Sequence, residues 1–311
     1  MSSPFRATVV IASKNRKDEL RLAIASCYRQ SQVPEVIVID DASTDGTGAM
    51  VASEFPQARL IVAEKSAGYI AQRNAGARLA STNIIFSIDD DAVFVHPSTI
   101  EDTLKDFECS DPTQAARIGA VAMPYIDTLI SKDVEQVAPD RQIVYVMGSF
   151  RGTAHALRRD VFLALNGYRE VLRHQGEEID YCTRMLDAGY VVRVGNAPPL
   201  DHNESPKRDK SRIMFQNARN HILYAHQNVP AAAFPVRVAA MMFNLSRHGV
   251  KTKYVGPTTK GIIDGWKVSL SGAAPRAALT RQGYKAFRTV SRMGVMALFQ
   301  LEPLLPPLRK V

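Results

Sequence analysis

Three short β-branched runs in the first 91 residues each end in a cluster of polar or acidic side chains, and this pattern constrains the chain more than any other. Ala7–Ser13 runs into Ser13-Lys14-Asn15-Arg16, Val36–Asp40 into Asp40-Asp41-Ala42-Ser43-Thr44-Asp45-Gly46, and Ile84–Ile88 into Asp89-Asp90-Asp91. Helical patterns intervene at Lys17–Gln30, Thr47–Phe55, Ile70–Ala80 and Pro97–Phe107, with further strands expected over Arg59–Ala63 and Ala120–Met123. Strands and helices alternating in this way make βαβ units, so the expected fold class is α/β, a mostly parallel open sheet flanked by helices. Such sheets bind ligands beyond the carboxyl ends of their strands, where loops and helix amino termini converge. All three polar clusters stand at those ends, and one cleft is expected to hold them.

Beyond residue 125 the pattern loosens. A less regular segment, about 125–150, precedes helical patterns at Arg158–Leu165 and Glu178–Ala188, a strand at Tyr190–Val194, a polar stretch at Asp201–Asp209 and a helix at about Ser211–Gln227. Charge then divides the chain: residues 1–205 carry 21 Lys and Arg against 28 Asp and Glu, whereas residues 206–311 carry 18 against 3. In this basic part Val236, Val238, Met241, Met242 and Leu245 alternate with Arg237, Arg247 and His248, and Tyr284–Phe299 mixes Lys285, Arg288 and Arg292 with Phe287, Val290, Met293 and Met296. Two readings stand side by side. The segment forms interfacial helices on an anionic membrane, or a helical extension that packs its apolar faces on the rest of the chain.

With 311 residues, 46% of them hydrophobic, the chain can bury one large core or two modest ones. It contains no apolar run of about 18 residues that would make a spanning helix. Cys27, Cys109 and Cys182 lie far apart without a CxxC pair, which suggests neither a disulfide framework nor a thiolate metal site. The opening Met1-Ser2-Ser3-Pro4 has neither the basic start nor the cleavage site of a secretion signal, so the mature chain is expected to start at residue 1 and to work in a reducing cytoplasm.

Consecutive acids at the end of an apolar strand repel one another unless a cation joins them. Oxygen ligands of this kind suit Mg²⁺ or Mn²⁺, which leave positions open for phosphates, so Asp89-Asp90-Asp91 is a candidate metal site; the plain alternative is an acidic loop with a helix cap. Asp40 and Asp41 can accept hydrogen bonds from a base or a ribose, or serve as a capping turn with one surplus acid. Gly68 and the run Ala71-Gln72-Arg73-Asn74-Ala75-Gly76 place Arg73 near the start of a helix, where a phosphate can approach.

These motifs, in this order, resemble those of the family-2 glycosyltransferases, inverting enzymes of GT-A fold that use nucleotide-diphosphate sugars. The resemblance runs from about Val9 to Asn220. Val9–Arg16 is similar to the family's opening strand and polar loop, Val38–Gly46 to its nucleotide-binding motif, Gly68 with Ala71–Gly76 to the donor-contacting helix, and Asp89-Asp90-Asp91 to its DxD motif. Gly152–Arg158 and Asn166-Gly167-Tyr168-Arg169-Glu170 resemble the acceptor-side segment, with Arg169 where the family usually has an acid. Gly176-Glu177-Glu178-Ile179-Asp180-Tyr181-Cys182-Thr183-Arg184 resembles the motif that carries the catalytic base, and Glu178 falls where that base is commonly aspartate. His202 and Arg219-Asn220 look like signatures of rhamnosyltransferase-like and galactofuranosyltransferase-like members.

The resemblance implies a GT-A, Rossmann-like domain over residues 1–230, with a nucleotide-sugar-binding half (1–125) and an acceptor and catalytic half (126–230), followed by a basic helical C-terminal extension (231–311). It implies donor contacts at Ala12, Ser13, Asn15, Arg16, Asp40, Asp41, Gly68, Arg73, Asp89 and Asp90, a divalent Mn²⁺ or Mg²⁺ at Asp89, Asp91 and His202, and acceptor contacts at Gly152, Thr153 and Tyr168. Glu178 is the expected base, with Glu177 and Asp180 as substitutes; helical spacing also gives Asp180 an ion-pair role with Arg184. An inverting transfer needs a carboxylate to take the acceptor proton while charge grows on the departing diphosphate. The acceptor is expected to be a glycan or lipid-linked hydroxyl in cell-envelope polysaccharide or glycoconjugate synthesis, with the enzyme cytoplasmic, either soluble or peripheral at the inner membrane face, and the tail offering a lipid or dimer surface. Two other readings exist. Nucleotidyl transfer uses the same strand ends, but Ser13-Lys14-Asn15-Arg16 lacks the glycines of its phosphate loop. Nucleic-acid binding through the basic tail lacks a recognisable module, so no nucleic-acid partner is expected.

Overall fold

The computed structural model describes residues 5–203 and 209–310. The chain begins with β1 (Ala7–Ser13), α1 (Lys17–Cys27), β2 (Glu35–Asp40), α2 (Thr47–Glu54), β3 (Arg59–Val62), α3 (Tyr69–Leu79) and β4 (Ile84–Ile88). It continues through β5 (Ala92–Val93), α4 (Thr99–Lys105), α5 (Pro112–Arg117), β6 (Ile118–Ala122), β7 (Tyr125–Asp127), β8 (Val134–Glu135), β9 (Tyr145–Met147), β10 (Ala154–Arg158), α6 (Arg159–Ala164) and α7 (Glu177–Asp187). After β11 (Val191–Val194) and β12 (Leu200–His202) come α8 (Lys210–Asn228), α9 (Phe234–Thr252), α10 (Val255–Leu270), α11 (Arg281–Met293), β13 (Val295–Ala297) and a last short helical turn. Of the polar stretch Asp201–Asp209, residues 204–208 lie outside the described residues.

Nine strands form one sheet in the order β13-β9-β11-β6-β10-β4-β1-β2-β3. Seven run the same way; β10 and β9 run against them. A four-stranded sheet, β5-β12-β7-β8, stands apart. In β1 every residue except Ala12 is buried, as expected of a parallel strand covered on both faces. Val9 and Ile11 face Leu20 and Ile24 of α1, while Val10 joins Ile37, Ile39, Ile70 and Ala77 on the opposite side. Helix α3 reaches that side through Gly76: a Cβ there would meet Val10 Cγ1 at 2.3 Å.

Some expected boundaries hold and others shift, for local reasons. The second helix starts as expected at Thr47, after Gly46, whose φ of +86° suits glycine, and the Asp45 carboxylate accepts from the Thr47 amide at 3.0 Å. The helical pattern over Tyr284–Phe299 breaks at Gly294, φ +77°, and Val295–Ala297 turns into β13, the edge strand that pairs antiparallel with β9. The loose segment at 125–150 contains three short strands, β7, β8 and β9.

Helices α8, α9 and α10 form their own cluster around Ala218, Ile222, Met241, Leu245 and Ile262. Gly261 and Gly265 let α10 lie directly on α8, since Cβ atoms there would come within 2.2 Å of Phe215 O and 2.7 Å of Arg219 O.

Candidate active site

Parallel pairing brings the first two polar clusters together: Ser13 is in register with Asp40, and the Asp41 amide donates to Ser13 O at 2.8 Å. Ala12, one residue earlier, pairs with Ile39. Asn15, at φ +54°, donates its amide to Ser43 Oγ and accepts from the Thr44 amide at 2.7 Å, tying the two loops to each other. Asp40 accepts from the Ser43 amide at 2.8 Å. Asp41 is more fully engaged. Its carboxylate accepts from Ser66 Oγ, Gln72 Nε2 and the amides of Ala67 and Gly68, at 2.5–3.0 Å. Burial works to raise its pKa, but these donors prevail and hold it below the ordinary carboxylate range. Asp41 therefore acts as a positioning residue: it shapes the turn that delivers Gly68, φ +87°, to the start of α3.

The third cluster lies beside the first. Ser13 Oγ donates to Asp90 Oδ2 at 2.7 Å, and Arg16 spans Asp90 Oδ1 at 3.3 Å and Asp91 Oδ2 at 3.0 Å. Burial pushes the Asp90 carboxyl up to about 7 against the pull of Arg16 and Ser13. Asp91 stays below its usual range despite burial, held by His202 and Arg16.

The small sheet supplies the rest. In β12, His202 is opposite Ala92 of β5 and opposite Asp127 of β7, so Asp91, the residue before β5, comes beside His202 and Asp127. Asp127 hydrogen-bonds His202 Nδ1, leaving Nε2 directed at Asp91 Oδ1, 3.4 Å away, and Asp89 Oδ2, 3.9 Å away. Burial opposes protonation of the imidazole, yet Asp91 and Asp127 raise its pKa. Ligand atoms of Asp89, Asp91 and His202 all fall within 4.8 Å of one another, and buried Asp91 Oδ1 has no hydrogen-bond partner. Two carboxylates and an imidazole around an orphaned buried oxygen fit a divalent cation, and Asp127 orients the imidazole in the manner of an outer-shell carboxylate. Asp127 is not a candidate from the sequence, because its part follows from pairing with a strand some 75 residues later.

Arg73 connects this cluster to α7. Its buried guanidinium pairs with Asp89, donates to Gly152 O at 2.9 Å, lies 3.6 Å from Glu177 Oε1 and sits over the Tyr69 ring. Burial opposes its charge, but Asp89 foremost keeps its pKa raised. Glu177 is completely buried with no hydrogen bond to either carboxylate oxygen, and burial, reinforced by Glu178, raises its pKa well above normal. Glu178, the next residue, is half-buried over Gly152: a Cβ on that glycine would meet Glu178 Oε1 at 2.4 Å and Arg73 Nη1 at 3.3 Å. Burial raises its pKa as well.

Three candidates are buried: Asp180, Tyr168 and Thr153. Asp180 is fully buried, and its oxygens accept from Arg169 Nη1 and Asn228 Nδ2, each at 2.7 Å, and from Arg184 Nε at 2.9 Å, so it holds an ion-pair cluster. The same contact accounts for Arg169, whose charge serves Asp180. Tyr168 is 2% exposed, closed in by Phe162, Tyr181 and His155, with its hydroxyl on His155 Nε2 at 2.8 Å; it supports the wall and does not line it. Thr153 is also buried, whereas its neighbour Gly152 is held between Arg73 and Glu178. Arg219 and Asn220 are structural too. Asn220 Nδ2 donates to the carbonyls of Leu172, His174 and Gln175, clamping the loop before α7, and Arg219 pairs with Asp264 of α10 at 2.7 Å.

Residues 8–164 match the family described as Glycosyl transferase family 2. The chain is 34% identical over 110 residues to the uncharacterized glycosyltransferase YwdF of Bacillus subtilis (strain 168), covering 34% of this chain and 40% of that protein. It is 28% identical over 215 residues to the succinoglycan biosynthesis protein ExoU of Rhizobium meliloti (strain 1021), covering 62% and 60%. The chain thus spans about three fifths or less of the length of these curated relatives. Among solved structures, the mannosyltransferase PcManGT of Pyrobaculum calidifontis, in complex with GDP-Man and Mn²⁺, superimposes over 94% of this chain and 86% of its own with a TM-score of 0.57 at 20% identity. Residues 1–349 of S. aureus TarS superimpose over 87% and 81% with a TM-score of 0.61 at 14% identity. At such identities the likeness concerns the fold, which is that of the GT-A glycosyltransferases, with a C-terminal helical extension.

Proposed function

Since the chain belongs to glycosyltransferase family 2, we propose that it moves a hexosyl or deoxyhexosyl unit, with inversion, from a nucleotide-diphosphate sugar to a hydroxyl of a glycan or lipid-linked acceptor. The observation that carries this reading is the convergence of Asp89 and Asp91, just after β4, with His202 of the small sheet, Arg73 of α3 and Glu178 of α7. The nucleotide lies against residues 12–16, Asp40 and the turn held by Asp41. Asp89, Asp91 and His202 would hold Mn²⁺ or Mg²⁺, which would neutralise charge on the diphosphate. Arg73 adds a fixed cation beside the departing group. The acceptor enters next to Gly152, where Glu178 removes the proton of its hydroxyl as the oxygen attacks the anomeric carbon, and the donor's glycosidic C–O bond breaks on the opposite face.

The likeness to the succinoglycan biosynthesis protein ExoU favours an acceptor in cell-envelope polysaccharide synthesis, and the cytoplasm is the proposed compartment. The domain division proposed is 1–230 for transfer and 231–311 as the extension, with rhamnosyl-like or galactofuranosyl-like donors to be tried first.

Glu178→Gln tests the assignment: transfer should fall about a thousandfold while nucleotide-sugar binding, read by calorimetry, stays within a few fold. Full transfer by this variant would exclude Glu178 as the base. A base acts only when deprotonated, and burial raises the Glu178 pKa, so activity should decline on acidification at a pH above that of an ordinary glutamate.

A further inference from the structure

The basic segment divides in the fold into two unlike parts. Its last stretch is built into the body of the protein: α11 buries Tyr284, Phe287 and Val290, Thr280 donates its amide to Asp187 of α7 at 3.0 Å, and β13 extends the large sheet. Helix α9 is different. It buries Met241, Leu245 and Gly249 against its neighbours, but Val236, Phe243 and Val250 are 77%, 68% and 66% exposed. Their spacing of seven residues sets them along one stripe of the helix. Arg237, Arg247 and Lys251, all exposed, flank the stripe, and on the outer face of α10 Lys260 and Lys267 interleave with exposed Ile263 and Leu270.

Acids are missing from this surface by sequence: none occurs from residue 210 to 263, and Asp264 is paired with Arg219. Phosphates of a nucleic acid would engage the cations but leave the valines and phenylalanine in water. A second copy would set cation against cation. An anionic bilayer satisfies both features at once, taking the apolar stripe at the boundary between headgroups and acyl chains and the cations at lipid phosphates. No helix among the described residues is long and apolar enough to cross a membrane, so the contact is in the membrane plane.

We propose that α9, with the adjoining outer face of α10, docks this protein on an anionic lipid surface through Val236, Phe243 and Val250 and the basic side chains beside them. The inference does not depend on the transfer reaction. Its test uses the full chain and vesicles of phosphatidylcholine alone or mixed with phosphatidylglycerol. Wild-type protein should sediment with the mixed vesicles and not with the neutral ones. Binding should fall about tenfold or more when Val236, Phe243 and Val250 are all replaced by serine, and by a similar factor in R237E/R247E/K251E. The single variant Phe243→Trp, at a solvent-exposed position, should show a blue shift of emission on the mixed vesicles beyond any given by wild type, whose one tryptophan is Trp266. It keeps the test decisive if the triple variants fail to fold. The proposal is overturned by no binding to anionic vesicles at low salt, by undiminished binding of a folded triple-serine variant, or by an emission of the Phe243→Trp variant that vesicles leave unshifted. Tighter binding to duplex DNA than to vesicles would overturn it as well, as would a dimer that the serine substitutions dissociate and vesicles do not compete with.

Discussion

Two acidic clusters end the strands that flank β1, and they are finished in opposite ways. At the end of β2, Asp41 accepts four hydrogen bonds and Asp40 accepts the Ser43 amide. At the end of β4, Asp91 Oδ1 is buried with no donor, and His202 Nε2 stands 3.4 Å away. A carboxylate whose acceptor sites are filled from within builds a loop; one left short of donors inside the protein is arranged for a cation from outside. The two clusters look alike in sequence, so residue type alone does not separate scaffold from site.

The sharpest way to break this comparison is Asp91→Ala, which should lower metal-dependent transfer about a thousandfold while thermal unfolding stays near that of wild type. An equally active variant would make the β4 acids a loop like those of β2. Next in size, Asp41→Asn replaces an acceptor by a donor facing other donors and should cost about 2–3 kcal/mol in denaturant unfolding. Because the Asp41 pKa is lowered on folding, its contribution is complete above the unfolded-state value and is lost as pH falls through the lower folded one. The stability difference between wild type and Asp41→Asn should accordingly narrow in acid. Asp127→Asn weakens the orientation of His202 and should reduce metal affinity about tenfold, measured by calorimetry. The smallest effect is expected for Ser43→Ala, which removes the acceptor for the Asn15 amide and should cost about 0.5–1 kcal/mol, since that amide can turn to water.

Much of the first half is legible because its signals are local. β1 and β4 coincide with their expected bounds, and α1 to α3 differ by three residues or fewer, since buried parallel strands read as continuous β-branched runs and the helices between them carry helical periodicity. The second half depends on partners distant in sequence. β7 and β12 are three residues each, too short to show a period, yet their register sets Asp127 against His202. Nor does the residue pattern of α7 reveal that Asp180 faces Arg169 and Asn228 while Glu177, one turn earlier, faces Arg73 at ion-pair distance without a hydrogen bond. The partners come from elsewhere in the chain: Asn228 belongs to α8, Arg73 to α3, and Asn220 of α8 holds the Gln175 carbonyl just before α7.

The pairing of β13 with β9 bears on how the chain is made. On a translating ribosome, β9 emerges with both edges open; β11 can cover one once residues 191–194 follow, but the other stays open until residues 295–297 arrive with its second partner. An unpaired edge invites strands from other nascent chains. Chains halted before Val295 should therefore rely on chaperones far more than completed ones.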